Sequence, residues 1–276
     1  MLTTSIALAK RFVLLLPGII IAYLSVRVIF PLFDHHLPLA LAIFATYVLA
    51  AYLLIPAFIR LVRILFPPEH LPLYCITPDG FASDPINIGL VGTKQELMAA
   101  MEAVGWYVAD PKTIRTVIRQ ILSAVYGWSY PTAPMSNLYL FGRRQDIGFE
   151  IPAEGGFGSR RHVRFWATTY DDSKDLSVRS IHWHNRESLY SNKKLLWVGA
   201  ASRDVGLAPI RHNFQVTHMI HPDTDSERMV IVKQLQRADI AGNCKAIKLG
   251  NPYRIANRAL RGYLQSDGQM QILELK

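Results

Sequence analysis

Two long apolar runs dominate the start of the chain. Phe12 to Val26 carries no charge, and the apolar pattern resumes after Arg27 and continues to Phe30. Leu37 to Ile59 is a second run without a charged residue. A helix needs about 20 apolar residues to cross the hydrocarbon core of a bilayer. Only PLFDHHLP separates the two runs. The pattern therefore predicts a transmembrane helical hairpin over residues 1–65. A cleaved signal peptide would account for the first run, with Lys10 and Arg11 as its basic segment, but not for the second.

Past the hairpin the pattern changes twice. Residues 66–92 hold Pro67, Pro68, Pro72, Pro78 and Pro85, which rules out one continuous helix and predicts an extended juxtamembrane connector. GTKQELMAAMEAVGW then reads as a helix: Thr93 and Glu96 have capping-box spacing, Leu97, Met98, Met101 and Val104 form the apolar side, and Gly105 marks the stop. A second helix is predicted from Lys112 to Val125, with Ile114, Val117, Ile118, Ile121 and Leu122 at helical spacing. From Ser136 the texture becomes β-like. NLYLFGRR and QDIGFEI read as a hairpin turning near Arg143 to Gln145. HVRFWATTY, LSVRSIHWHN, LLWVGAAS and RHNFQVTHMI read as strands, and a third helix follows from Ser226 to Ala241. The tail reads as a hairpin, ALRGYLQ and QMQILEL, around Ser266-Asp267-Gly268. Residues 93–276 are thus expected to form one α+β domain with a mainly antiparallel sheet and about three helices.

Charge orients the hairpin. Lys10 and Arg11 precede the first run and Arg60 and Arg63 follow the second, so the positive-inside rule puts both termini in the cytoplasm, with two membrane spans between them. Phe12, Arg27, Leu37 and Ile59 mark the membrane segments, with Arg27 reaching to the interface. The whole chain has 30 basic and 21 acidic residues. The excess beyond the hairpin is modest. It suits a domain held near anionic head groups, and Arg160, Arg161 and Arg164 are expected on a basic face towards the membrane. No nucleic-acid signature accompanies it. Cys75 and Cys244, in a cytoplasmic domain, are expected to be free thiols.

Candidate chemistry is concentrated in THMIHPDTDSERM, residues 217 to 229. Thr224 and Glu227 have capping-box spacing and Asp225 suits the first turn of a helix, so a strand, a turn and a capped helix explain much of it. His218, His221, Asp223 and Arg228 are left over. A helix start beside an arginine also suits an anion such as phosphate. His182 and His184, two apart on a strand, would project from one face as a pair of metal ligands lacking a third. No cofactor is expected, although that pair admits a divalent metal. Asp171, Asp172 and Asp175 read as a polar turn. Arg203-Asp204 reads either as a surface turn or as an arginine and a carboxylate at one end of the sheet. There is no P-loop, GxSxG, HExxH or dinucleotide fingerprint.

DPINIGLVGT, the pair Gly105-Trp106, SYPTAPMSNLYLFGRRQDIGFE, HVRFW, WVGAASRDVGL and THMIHPDTDSERMVIV together resemble the LssY C-terminal-domain family of bacterial proteins, in matching order over most of residues 80 to 275. The resemblance implies a membrane-associated protein, in a family whose members occur alone or behind membrane phosphatase domains. It brings no settled activity, and the phosphatase part has no counterpart here. Thr217, His218, Asp225, Glu227, Arg228, Arg203 and Asp204 match the family pattern. His221 stands where the family has an acidic residue.

Three functions are compatible with these features. The first is an accessory protein of the cell envelope that binds a phosphate-bearing ligand, a lipid head group or a protein partner, with membrane lipids and other membrane proteins as its surroundings. Its ligand residues would be Arg203, Asp204, His218, Asp225 and Arg228. The second is a hydrolase of a phosphorylated lipid or envelope intermediate, with His218, Asp204 and Glu227 as the candidate catalytic set. The third is a component linked to type I secretion, implied by the family name alone.

Overall fold

The computed structural model describes residues 19–58, 61, 71–78, 80–140, 142–153, 159–169, 192–210, 216–257, 259 and 262–276. The chain divides into two units: Met1–Phe66 with Pro78–Gly80, and Pro67–Thr77 with Phe81–Lys276.

The first unit is helical. Helix α1 covers residues 19–34 and contains a π-helical turn at Ser25–Ile29. The chain reverses through a short turn in which the His36 and Leu37 amides both donate to the Phe33 carbonyl. Pro38 then starts helix α2, Leu39–Phe58. Among the described residues α2 is the one helix long and apolar enough to cross a membrane. Its side chains are largely exposed in the isolated chain. Phe12 and Ile59 lie outside the described residues. Arg27 is exposed on α1, and Leu37 lies in the turn.

The second unit is α+β with a mainly antiparallel sheet. Its strands are β1 (Tyr74–Ile76), β2 (Ala82–Pro85), β3 (Ile88–Gly92), β4 (Tyr107–Val108), β5 (Tyr139–Leu140), β6 (Arg143–Arg144), β7 (Ile147–Pro152), β8 (Ser159–Thr169), β9 (Leu195–Pro209), β10 (Val216–Ile220), β11 (Ala241–Lys248), β12 (Tyr253–Ala256), β13 (Tyr263–Ser266) and β14 (Gln269–Leu275). Its helices are α3 (Lys94–Ala103), α4 (Ile114–Tyr126) and α5 (Thr224–Arg237). The main sheet runs β11-β14-β3-β9-β8-β7-β4, with β10 beside the far half of β9. Within it, only β14 and β3 pair in parallel. A small sheet, β2-β1-β5-β6, and the ribbon β12-β13 complete the unit.

Alternation along β8 and β9 splits the core in two. Val163, Phe165 and Ala167, with Trp197 and Ala201, face α3 and α5 and pack on Leu97, Met101, Ile231 and Leu235. Trp166, Val198 and Ala200 face the other way, against Cys75, Ile86, Leu138 and Leu140 from the small sheet and its flanks. Gly199 is a forced choice in this packing: a Cβ there would lie 2.6 Å from Phe165 Cε1 and 2.8 Å from Ile88 Cγ2. Cys75 and Cys244 are free thiols, as expected.

Several sequence expectations change. The described part of the proline-rich stretch supplies β1, β2 and β3 to the folded unit, because Pro72 and Pro78 fall outside the strands and Pro85 ends β2. NLYLFGRR and QDIGFEI do not pair with each other. The chain turns earlier, through Gly142 at φ 77°, so β5 pairs with β6 in the small sheet and β7 joins β8 in the large one. The closing hairpin is likewise not formed. β13 pairs with β12, while β14 enters the main sheet between β11 and β3. Its two faces explain the choice: Leu273 and Leu275 serve one core and Met270 the other, as in a central strand.

Candidate functional site

Arg160, His162 and Arg164 alternate along β8 on the face that carries Trp166 further on. Their β9 partners in register are Asp204, Ser202 and Ala200, and Glu150 of β7 lies beside His162. Asp84 of β2 covers this face from the small sheet. A layer of charge is therefore enclosed between two sheets, continuous with the second hydrophobic core.

The contacts are direct. Arg164 Nη1 donates to Asp84 Oδ2 at 2.5 Å. Arg160 bridges two carboxylates, with Nη1 2.6 Å from Glu150 Oε2 and Nε 3.1 Å from Asp204 Oδ2. His162 Nε2 is 2.8 Å from Ser202 Oγ and 3.3 Å from Asp84 Oδ2, and its Nδ1 lies 3.7 Å from Asp204 Oδ2. His218 Nδ1 approaches the same Asp204 oxygen at 3.5 Å. His162, Asp84, Glu150, Ser202 and Asp204 are buried, whereas the His218 side chain is 32% exposed. The cluster therefore opens at His218.

His218 reaches Asp204 because the β9–β10 ladder is irregular. His218 is opposite Leu207, yet Ile220 is opposite Asp204. The extra residue on β9 is accommodated beside Gly206, at φ 137°, a conformation that favours glycine.

Burial and neighbours tune the titrating groups. Burial pushes the Glu150 carboxyl up to about 7, against the pull of the Arg160 and Arg164 guanidinium groups. Asp84 is subject to burial too, but Arg164 and His162 outweigh it and hold its carboxyl below the usual range. Burial lowers His218, against the opposing field of Asp204. Three carboxylates face two guanidinium groups here, so protonating Glu150 balances the fixed charges and weakens its hold on Arg160. Asp84 Oδ1, Glu150 Oε1 and the Nδ1 atoms of both histidines are buried without a hydrogen-bond partner among the described residues. Such groups are costly unless a proton or a ligand serves them.

The opening stretch of α5 has a different structural logic from its sequence reading. The N-cap is Asp223, whose Oδ1 accepts from the Asp225 and Ser226 amides, so the box of Thr224 and Glu227 does not form. Thr224 is one position inside the helix and its hydroxyl donates to the Gln265 carbonyl at 3.0 Å. Asn87 fixes the same corner, donating to the Ala201 and Thr224 carbonyls. Arg228 and Asp225 hold the β13–β14 turn. Arg228 donates to Asp225, to both carboxylate oxygens of Asp267 and to the Gln269 carbonyl, while the Asp267 amide donates to Asp225 Oδ2 at 2.8 Å.

The structure thus brings together two of the sequence candidates, His218 and Asp204. Glu227 is not with them. Arg161 alternates with Arg160 on β8, so it faces α5, where its Nε donates to Glu227 Oε2 at 2.8 Å. Arg203 pairs in register with Arg161 on that same face. Arg203-Asp204 is not a turn but part of β9. The basic face expected of Arg160, Arg161 and Arg164 is also not found, because each is ion-paired and two lie in the inter-sheet layer. His182, His184, Asp171, Asp172 and Asp175 lie outside the described residues. Among the described residues no group of three His, Cys, Asp or Glu side chains is placed to hold a metal. At Asp204, the Arg160 guanidinium already occupies the oxygen that both histidines approach.

Sequence reasoning missed Asp84, Glu150, His162, Arg164 and Ser202. One signal was available: in SRRHVRFW the charged and polar residues at 160, 162 and 164 keep a period of two in front of a tryptophan. A strand with an apolar neighbourhood and one charged face predicts a buried polar layer.

The chain thus combines an α+β domain that encloses an inter-sheet charge layer with one helix, among the described residues, long and apolar enough to cross a membrane. The family described as LssY C-terminus matches residues 69–270, and the chain belongs to that family. No curated protein and no solved structure matches the chain.

Proposed function

We propose that the protein is a membrane-anchored accessory protein of the bacterial envelope that binds a phosphate-bearing ligand at the His218 end of the charge layer. One observation carries this reading. Arg160 is shared between Asp204 and Glu150, burial pushes the Glu150 carboxyl up to about 7, and the part-exposed His218 approaches the Asp204 oxygen that Arg160 holds. A phosphate arriving there would displace the Glu150 contact, Glu150 would take up a proton, and Arg160 would transfer its donors to the ligand. The ligand chemistry is a phosphomonoester or phosphodiester, whether a lipid head group or a soluble ester. The anchor in this reading is a two-span hairpin, α2 and the apolar run from Phe12 to Phe30, with both ends cytoplasmic. The test is titration of the detergent-solubilised full chain with glycerol phosphate, against the His218→Ala and Arg160→Ala variants. Saturable binding is expected in the wild type, lost in Arg160→Ala and weakened roughly tenfold in His218→Ala. Equal binding in all three proteins would overturn the reading.

A hydrolase is the second reading, favoured by the contact between Ser202 Oγ and His162 Nε2. It has a weaker geometric basis. The same nitrogen also faces Asp84, and Ser202 is buried, so this serine is not an accessible nucleophile. In this reading His218 would serve as the acid–base group, and turnover of the phosphoester in the same titration would favour it.

A further inference from the structure

Helix α4 is inside out. A helix on a globular domain ordinarily turns its apolar stripe to the core and its polar face to water. Of the stripe the sequence predicts, Val117 is half-buried, but Ile114, Ile118, Ile121 and Leu122 are exposed, and Val125 extends them along the same face, with Ile114 at 83% and Val125 at 70%. The polar side is the one turned to the protein. Ser123 is buried, Gln120 Nε2 reaches the Pro134 carbonyl at 3.4 Å, and Thr116 Oγ1 donates to the Pro111 carbonyl at 2.8 Å. The helix is firmly built despite this. Thr113 and Thr116 form a reciprocal cap at its start, and Gly127 closes it at φ 70°.

Three further features say what covers the stripe. Lys112, Arg115 and Arg119 flank it, and residues 111–128 contain no acidic side chain, so its charge complements anionic head groups. At the end of the helix Tyr126 stacks on Trp128, ring centroids 5.3 Å apart, with Trp128 60% exposed. These are the amphipathic ring types that settle at the bilayer interface. And the same chain carries the apolar helix α2; with α2 in the anchor proposed above, on which this inference rests, the domain meets a bilayer surface at a high effective concentration.

We infer that α4 is an in-plane membrane-binding helix, which inserts its isoleucine stripe and Trp128 into the head-group region of an anionic bilayer. It is a contact separate from the spanning anchor and from the charge layer. It holds the folded unit against the membrane rather than merely near it.

The test uses the full chain reconstituted in vesicles of zwitterionic lipid, with or without phosphatidylglycerol, containing lipids brominated near the glycerol end of the acyl chains. Subtracting the emission of Trp128→Phe isolates Trp128. The expected result is strong quenching of that difference signal, stronger with phosphatidylglycerol. It should vanish in Ile118→Asp/Ile121→Asp, which stays inserted through its anchor and keeps its circular dichroism because both positions are exposed. An unquenched Trp128 would overturn the inference. So would efficient disulfide-linked dimers of Ile118→Cys in the same vesicles, which would make the stripe an interface between copies.

Discussion

His218 Nδ1 lies 3.5 Å from Asp204 Oδ2, across a ladder in which these two residues are not register partners. The irregularity beside Gly206 makes the contact, and the contact joins the part-exposed His218 to the buried interior of the charge layer. Asp204 is the hub, because Arg160 and both histidines approach the same carboxylate oxygen. Asp204→Ala removes one of the two carboxylates that hold the largely buried Arg160 guanidinium and should destabilise the folded unit by about 3 kcal/mol. His218→Ala removes a part-exposed ring and should cost under about 1 kcal/mol while reducing phosphoester affinity roughly tenfold. Chemical denaturation and ligand titration on the two variants separate the effects.

Glu150 gives the stability a pH signature. Its folded pKa, about 7, is raised above its unfolded value, so the folded state binds the proton more tightly. That contribution is fully present below the unfolded pKa and is lost as pH rises through about 7; its size is about 3 kcal/mol. Asp84 has the opposite sign. Its lowered pKa gives stability that is present above the ordinary carboxylate range and is lost in stronger acid. Glu150→Gln should therefore flatten the stability profile between about pH 5 and 8 and stabilise the protein at the alkaline end. Urea midpoints across that range check this.

Arg228 is expected to be structural. Its side chain is buried and its Nη1 and Nη2 groups donate to Asp225, Asp267 and the Gln269 carbonyl. Arg228→Ala leaves two part-exposed carboxylates facing each other and should destabilise by about 2–4 kcal/mol. Phosphoester affinity of the folded fraction should be unchanged. A selective loss of affinity without loss of stability would return Arg228 to the ligand set.

The two cores meet the sheet without slack at Gly199. Gly199→Ala would force Phe165 or Ile88 to move and should destabilise by about 1–3 kcal/mol, read as a lower thermal midpoint.

Elements whose local signals agree with their tertiary setting are legible in the sequence. Helix α3 begins at Thr93 with the reciprocal Glu96 cap read from its spacing, and buries Leu97 and Met101 as their periodicity implies. Helix α4 is equally legible as a helix, but periodicity gives the position of a stripe and not what it faces. The strand partners were harder. β13 and β14 flank a turn and look like a hairpin, yet β14 has side chains for two cores and belongs in the middle of a sheet. The candidate site divided in the same way. His218 and Asp204 carried local signals. Asp84, Glu150 and His162 join them through pairings between residues far apart in the chain, which spacing cannot reveal.

Proton uptake on ligand binding tests the central claim most directly. The full chain would be titrated calorimetrically with glycerol phosphate slightly above the pKa of Glu150, in two buffers of different ionisation enthalpy, alongside Glu150→Gln. The expected result is binding with net proton uptake in the wild type, and binding with that uptake sharply reduced in Glu150→Gln. Binding with the same proton balance in both proteins, or no binding, would contradict it.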